Sequence, residues 1–334
     1  MYCPKMKPYV KYHKMFLYGM GHWPYQTIKT RRIVRFVSGT ALLSYCVPLG
    51  VRFYEARNDF DDFLECLPMA VTAILIAWCY FLFFVIKGNH LLELLNQMSN
   101  DFDKLQSLEA EFKILKESTE EGRFAAIAFI VYTIISSIAY CGITLLPIIL
   151  DIVAPLNESR PLSYISEVDY IFFERNDHYV FSYFHSGIIG CFSVMQIVAA
   201  DVMLYLFVQH ACGMFRVLRY RLKTITNTLD KGGDSWKDSI QENDIYKNAV
   251  FCAKMYQNIL EFSDSIDSCF SMVLILGIGV TIVLLSFQGT MVMVILEVAF
   301  NEESSGNLEF DLELQIQGCF LANFVFLLHG NPYF

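Results

Sequence analysis

The sequence predicts an all-α fold, a polytopic membrane bundle with a cytosolic N-terminus and cytosolic helical extensions between spans 2 and 3 and between spans 4 and 5. Three observations carry this. The 334 residues are 55% hydrophobic and 18% charged, with a mean hydropathy of +0.40, more apolar surface than a water-soluble core of this size needs. Uncharged runs of spanning length recur along the chain. The charges between those runs alternate in sign from one connection to the next. Lipid offers no partner to free backbone groups, so the runs are predicted as helices. The alternating segments of about ten residues that a β-barrel requires are absent from the sequence.

Residues 1–32 hold Lys5, Lys7, Lys11, Lys14, Lys29, Arg31 and Arg32 without a carboxylate, and read as a cytosolic N-terminal segment. No signal peptide precedes the first span: the apolar patch Met15 to Met20 is too short and lacks a small-residue cleavage site. Span 1 runs from Phe36 to Val51. It has only 16 uncharged residues, and Arg35 and Arg52 at its ends are expected to snorkel to the two interfaces. Span 2, Cys66 to Ile86, leads into Leu91, Leu95, Met98, Phe102, Leu105, Leu108, Phe112 and Leu115, apolar residues at intervals of three or four. That spacing predicts one amphipathic helix leaving the membrane. It suits either a partner helix or the membrane surface, and Asp101, Asp103, Glu109 and Glu111 favour the partner.

Span 3 runs from Phe124 to Leu150, where Pro147 either kinks the helix and opens space or marks its outer end. The next connection contains Asn157-Glu158-Ser159, the sole N-x-Ser/Thr glycosylation acceptor, which places it outside the cell with Asn157 as the modified residue. Span 4, Tyr179 to Ala200, continues through Leu218, Leu222, Ile225 and Leu229. Gly232-Gly233 break that helix, and Ile245, Ala249, Cys252, Met255, Ile259, Phe262 and Ile266 lead another back to span 5, Ser268 to Leu296. These two projections suit subunit association, since their apolar stripes would otherwise face water. A sixth uncharged run, Leu314 to Phe334, carries Gln315, Gln317, Asn323 and His329. The resulting organisation is 33–210 for spans 1–4, 211–267 for a cytosolic anchor and 268–334 for spans 5 and 6.

Lysine and arginine confirm the orientation independently. The segments 1–32, 87–123 and 211–267 hold 20 of the 25 basic residues, whereas 53–65, 151–178 and 297–313 hold only Arg57, Arg160 and Arg175 beside many carboxylates. The net charge of -9 is therefore segregated by segment, and no nucleic-acid surface is visible. The ten cysteines are scattered without a C-x-x-C pair, against a disulfide scaffold.

Enzyme chemistry finds little support. The seven histidines form no H-E-x-x-H pair, and no G-x-S-x-G, phosphate-binding or dinucleotide fingerprint occurs, so no metal or cofactor is expected. Gly277-Ile278-Gly279 reads as small-residue packing. Asp201 is the one carboxylate of the fourth apolar segment; it either marks a function or steadies the bundle through Gln196, Tyr205 or water. The outer halves of three spans are more telling: Met69, Thr72, Ala73 and Ile76; Tyr140, Cys141 and Thr144; Phe181, Phe184, His185, Ile188 and Phe192. Aromatic and sulfur-bearing groups with a few hydroxyls suit a small apolar ligand, and equally suit ordinary packing and interface belts.

The chain resembles the insect odorant receptor family, the seven-helix receptors with an intracellular N-terminus, in its hymenopteran form. The resemblance rests on Gly21-His22-Trp23-Pro24, on Leu150-Asp151-Ile152-Val153-Ala154-Pro155 followed by Arg160-Pro161-Leu162, and on Tyr183-Phe184-His185-Ser186-Gly187. Asp201-Val202-Met203-Leu204-Tyr205 running on to His210, and Ile259-Leu260-Glu261-Phe262-Ser263-Asp264 to Cys269-Phe270-Ser271, complete it. It covers roughly residues 15–295. It implies a plasma-membrane subunit of sensory neurons that binds small volatile ligands and gates a non-selective cation channel in a hetero-tetramer with a co-receptor. It also implies a cavity among spans 2, 3, 4 and 6, lined by Met69, Thr72, Ile76, Tyr140, Thr144, Phe184, His185, Ile188, Phe192 and Phe320. Gln317 to Asn331 resembles the family's sixth helix and nothing that could be a seventh follows, so the expectation is a truncated chain in which binding survives and conduction does not. A gustatory-type receptor of the same superfamily is the alternative.

Overall fold

The structure is a computed structural model that describes residues 4–59, 77–155, 160, 162–166, 168–173, 177–231 and 239–301. After a 3-10 turn at Pro4–Met6 the helices are α1 (Lys7–Gly19), α2 (Ile28–Ala56), α3 (Ala77–Ile86), α4 (Gly88–Leu105), α5 (Glu109–Ile143), α6 (Leu146–Val153), α7 (Tyr179–Lys231) and α8 (Ser239–Asn301). The protein is all-helical, with no strand among the described residues. Helices α2, α5, α7 and α8 contain stretches long and apolar enough to cross a membrane. They correspond to predicted spans 1, 3, 4 and 5. Of span 2 only Ala77–Ile86 is described; Cys66–Ile76, the sixth run, Gly232-Gly233 and Asn157 lie outside the described residues.

Several boundaries differ from the sequence expectation, each for a local reason. The apolar α3 and amphipathic α4 are bent by 63° at Lys87, whose Nζ donates to the Ser268 carbonyl at 3.0 Å. The stripe from Leu91 to Leu115 is two helices rather than one. It breaks at Gln106 to Leu108, where Leu108 N returns to the Leu105 carbonyl at 2.9 Å and Leu108 is 42% exposed. Pro147 does not kink α5. The helix ends at Ile143, and Pro147 occupies the first turn of α6, where a missing N–H costs nothing. Helix α1 was not expected at all; its apolar residues are too few for a span but enough for one buried face.

The chain divides into two compact units. The first comprises Met1–Ile28, Val85–Phe129 and Ala199–Ser271. Its core interdigitates Leu91, Leu95, Met98 and Phe102 of α4 with Phe207 and Val217 of α7 and Ile259, Phe262 and Phe270 of α8. Thus the stripe of the returning helix is buried within the subunit around Cys252 to Phe270, while Tyr246 and Phe251 nearer its start, and Leu222 of α7, are exposed. At the centre His210 is 1% exposed. It stacks on Phe102 with 6.0 Å between ring centroids, meets Phe262 edge-on at 5.3 Å and places Nε2 3.2 Å from Asp101 Oδ2.

Glycine allows α5 and α7 to approach in this unit: a Cβ on Gly213 would lie 2.9 Å from Leu115 Cδ1 and 3.2 Å from Ser118 Cβ. Arg221 to Glu111 at 2.5 Å and Arg216 to Glu121 at 2.8 Å continue the same crossing. Helix α1 adds Tyr9, Val10, His13 and Leu17 to the buried side. It ends at Gly21, whose φ of 73° is a left-handed turn that a side chain would strain. The amides of His22 and Trp23 then both reach the Leu17 carbonyl, at 2.9 and 3.2 Å, which accounts for the Gly21-His22-Trp23-Pro24 motif.

The second unit comprises Lys29–Phe84, Ile130–Val198 and Met272–Phe334. Leu42, Tyr45 and Leu49 of α2 pack with Ala77 and Phe81 of α3, Ile189 of α7 and Val168 of the α6–α7 connection. Neither arginine flanking span 1 is left to water alone. Arg35 donates to the Phe84 carbonyl near the end of α3 at 2.9 Å, where the helix dipole favours a cation. Arg52 lies 3.6 Å from Asp169. The connection, expected simply as an exterior polar segment, folds back into the bundle: Ile165 and Val168 are buried and Asp169 N donates to the Pro48 carbonyl at 3.3 Å. Asp151 accepts from both the backbone N of Arg160 at 3.0 Å and its guanidinium at 2.6 Å, so the second motif of the resemblance is a clasp at the start of this segment.

Candidate ligand site

The residues that converge in the second unit come from α2, α5, α7 and the folded-back connection. His185 is the junction. Its Nδ1 lies 2.8 Å from Tyr170 Oη and its Nε2 3.2 Å from Ser44 Oγ. Ser44 Oγ already donates its proton to the Ala41 carbonyl at 2.7 Å, so it can only accept from the imidazole. That fixes the neutral ring with the proton on Nε2 and leaves Nδ1 to accept from the tyrosine. Burial raises the Tyr170 phenol above its ordinary value, which keeps that donor protonated. The result is a one-directional chain from Tyr170 through His185 and Ser44 to the backbone of α2.

Aromatic rings flank this chain, with Ser44 and Phe181 at its exposed side. Phe181 stacks on His185 with 5.8 Å between centroids and 5° between planes, as residues one helical turn apart can do. Tyr170 stacks on Phe173 at 4.8 Å and meets Phe181 edge-on. Tyr45, 6.1 Å from the His185 ring, donates to Ser166. Two further hydroxyls, those of Ser182 and Ser186, are buried at 1% and 2% exposure. They flank the Tyr170 phenol without completing a hydrogen bond of ordinary geometry to any of the described residues.

Of the sequence-predicted residues, Tyr140, Thr144, His185 and Phe192 face into this unit. Tyr140 Oη donates to the Ile165 carbonyl at 2.8 Å, and Ile165 in turn sits 3.0 Å from where a Gly187 Cβ would be. Thr144 is fully buried and its hydroxyl donates to the Cys141 carbonyl at 2.9 Å. Phe192 packs against the core of Leu42, Tyr45 and Ile189. Phe184 and Ile188 lie on another stripe of α7, 59% and 64% exposed. Met69, Thr72, Ile76 and Phe320 lie outside the described residues.

Ser44, Tyr45, Ser166 and Tyr170 escaped the sequence reading. Span 1 is marked in the sequence only by its uncharged length, and the connection reads as an exterior polar segment. The available signal was the set Ile165, Val168 and Tyr170, apolar residues spaced through a polar segment. Asp201, in the first unit, has a carboxylate oxygen with no hydrogen-bond partner among the described residues. No group of His, Cys, Asp and Glu that could hold a metal occurs among them.

No curated protein matches the chain. Among solved structures it is similar to the insect olfactory receptor OR5 from Machilis hrabei, at 14% identity and a TM-score of 0.58 over 97% of this chain and 79% of that one. It is likewise similar to the same receptor in complex with eugenol, at 15% identity and a TM-score of 0.59, over 97% and 77% of the two chains. At such identity the likeness concerns the fold. The family model described as 7tm Odorant receptor matches residues 59–301, most of the chain. This multi-pass membrane protein therefore belongs to the 7tm odorant receptor family.

Proposed function

We propose that this chain is an odorant-tuned receptor subunit that binds a small, mostly apolar volatile molecule in its second unit and gates a non-selective cation channel together with a co-receptor in a hetero-tetramer. The observation that carries the reading is the pair of buried hydroxyls, Ser182 and Ser186, without a hydrogen-bond partner among the described residues, beside a polarised Tyr170–His185–Ser44 chain flanked by aromatic rings. Apolar walls supply dispersion, and a few placed polar groups orient the ligand. A ligand oxygen satisfying one of those hydroxyls would gain more there than in water, because an unpaired buried hydroxyl is costly. Eugenol, held by the structural neighbour, has this character.

The proposed contacts are Tyr140, Thr144, Phe184, His185, Ile188 and Phe192, with Met69, Thr72, Ile76 and Phe320 completing the wall. In this reading the protein sits in the plasma membrane of a sensory neuron, N-terminus inside, with Asn157 carrying an exterior glycan and 211–267 serving as the subunit anchor. No catalytic step is assigned. Co-expression with an insect odorant co-receptor in oocytes, challenged with a panel of volatile oxygenates and hydrocarbons, tests it. Concentration-dependent current, lost when the co-receptor is omitted, is expected. Responses only to polar tastants or carbon dioxide would favour the gustatory-type alternative, and glycosylation-free Asn157 facing the cytosol would refute the orientation.

A further inference from the structure

Helix α1 has two unlike faces. Met6, Tyr9, Val10, His13 and Leu17 are buried in the first unit, where Tyr9 meets Phe102 with 6.0 Å between ring centroids. The opposite face presents Lys7, Lys11, Lys14, Met15 and Tyr18 at intervals of three, four or one along the helix, all exposed. Met15 is 68% exposed, Tyr18 43% and Tyr12 38%. Lysines beside a methionine and two tyrosines are the side chains that settle at a membrane–water boundary: apolar stems and rings enter the acyl border while the ammonium groups stay at the headgroups.

The location of α1 along the chain fits this partner. The turn after α1 is folded back on the helix end, with Gln26 Nε2 donating to the Tyr18 carbonyl at 3.3 Å and Gln26 N to the Trp23 carbonyl at 3.0 Å. Only residues 20–27 separate α1 from the membrane-crossing α2 in the sequence. Residues 1–32 contain seven basic side chains and no carboxylate. Among the described residues, Glu120 and Arg123 lie near Tyr9, on the inward face of α1.

We infer that the outer face of α1 binds anionic phospholipid headgroups of the cytoplasmic leaflet, making the N-terminal segment a lipid-dependent clamp on the first unit. The inference rests on the cytosolic orientation of the N-terminus, and not on the ligand site. A protein partner would also cover this face, but the all-basic charge of residues 1–32 and their short separation in sequence from a spanning helix match the leaflet.

The test uses the full chain in nanodiscs of phosphatidylcholine alone or with phosphatidylserine. Met15→Trp places a reporter on the exposed face, read as the difference from the unsubstituted chain with its native tryptophans, using lipids brominated near the headgroup. Quenching of the added tryptophan should be roughly threefold greater with phosphatidylserine and should fall to the phosphatidylcholine level in high salt, as a screened surface attraction requires. Combined Lys7→Gln, Lys11→Gln and Lys14→Gln should remove the difference. A second measurement needs no substitution in the helix: cleavage of the native chain by a lysine-specific protease at these sites should slow with phosphatidylserine. Equal quenching and equal cleavage in both discs would overturn the inference, as would protection from acrylamide that appears only when the co-receptor is present and is indifferent to lipid charge.

Discussion

The two units of this chain share α5, α7 and α8 but turn different surfaces outward. In the first, Phe102, Phe207, Phe262 and Phe270 fill the interior while Lys104, Glu121 and Arg216 lie towards the outside. In the second, the outside is apolar: Phe36 at 72% exposure, Ile138 at 67%, Ile152 at 77% and Met272 at 70%. Around the apolar cluster of Leu42, Leu49 and Phe81 its interior also gathers the hydroxyls of Thr133, Thr144, Ser163, Ser166, Ser182 and Ser186, whereas the polar side chains buried in the first unit include the imidazoles of His13, His22 and His210. The difference follows from the solvent. Water expels apolar groups inward, whereas hydrocarbon is as apolar as leucine and leaves the polar side chains to find one another inside. A ligand site assembles more readily in the second kind of interior, since its hydroxyls are already gathered and its packing does not depend on expelling water.

The contrast can be broken most forcefully at glycine. Gly213→Leu must displace Leu115 and Ser118 in the first unit, and overpacking of about 1–3 kcal/mol or more should sharply reduce folded receptor. Gly190→Leu in the second unit, where nothing lies within 4 Å, should leave detergent-solubilised yield unchanged. Fluorescence size-exclusion profiles of the two variants compare them directly.

A second test is acid. Burial pushes His13 down to about 4, so on lowering the pH through 6.5 the unfolded chain takes up a proton that the folded one refuses. Stability present above 6.5 is lost progressively towards 4, by a total of about 3 kcal/mol for this group. Helix α1 should therefore become accessible to protease in acid, and His13→Leu should abolish that pH dependence while preserving the helix.

In the second unit, Tyr170→Phe and His185→Leu each cut the polar chain. We expect the concentration for half-maximal response to oxygenated ligands to rise roughly fivefold, the worth of one hydrogen bond of about 1 kcal/mol, with hydrocarbons little affected and surface delivery intact. Tyr140→Phe, which releases the Ile165 carbonyl, should shift ligand preference by a smaller factor. Phe184→Ala should change it least, because that side chain lies on the exposed stripe of α7. Current recordings normalised to surface labelling rank all four, and a larger effect at Phe184 than at His185 would mean that the ligand approaches from the outer face of α7.

Much of the architecture was legible in the sequence because it depends on local averages. Uncharged length gave α2, α5, α7 and α8, and the interval of three or four between Leu91 and Phe102 gave the buried face of α4. The His185 position was legible as well, since a histidine among phenylalanines in a span is conspicuous. What escaped were the single-residue events: the bend at Lys87, the break before Glu109 and, of the two roles open to Pro147, that it follows the helix end rather than kinking it. Each turns on one hydrogen bond or one proline whose effect a sliding composition does not register.

By itself the sequence determined the fold class and the membrane-crossing helices α2, α5, α7 and α8, because transfer of about 20 apolar residues into lipid outweighs anything the tertiary contacts add. Only the tertiary structure decided that the segment after Arg160 returns into the bundle and brings Tyr170 to His185 and Ser166 to Tyr45. Those contacts join residues 15 and 121 positions apart, and their free energy exists only once α2 and α7 already stand side by side.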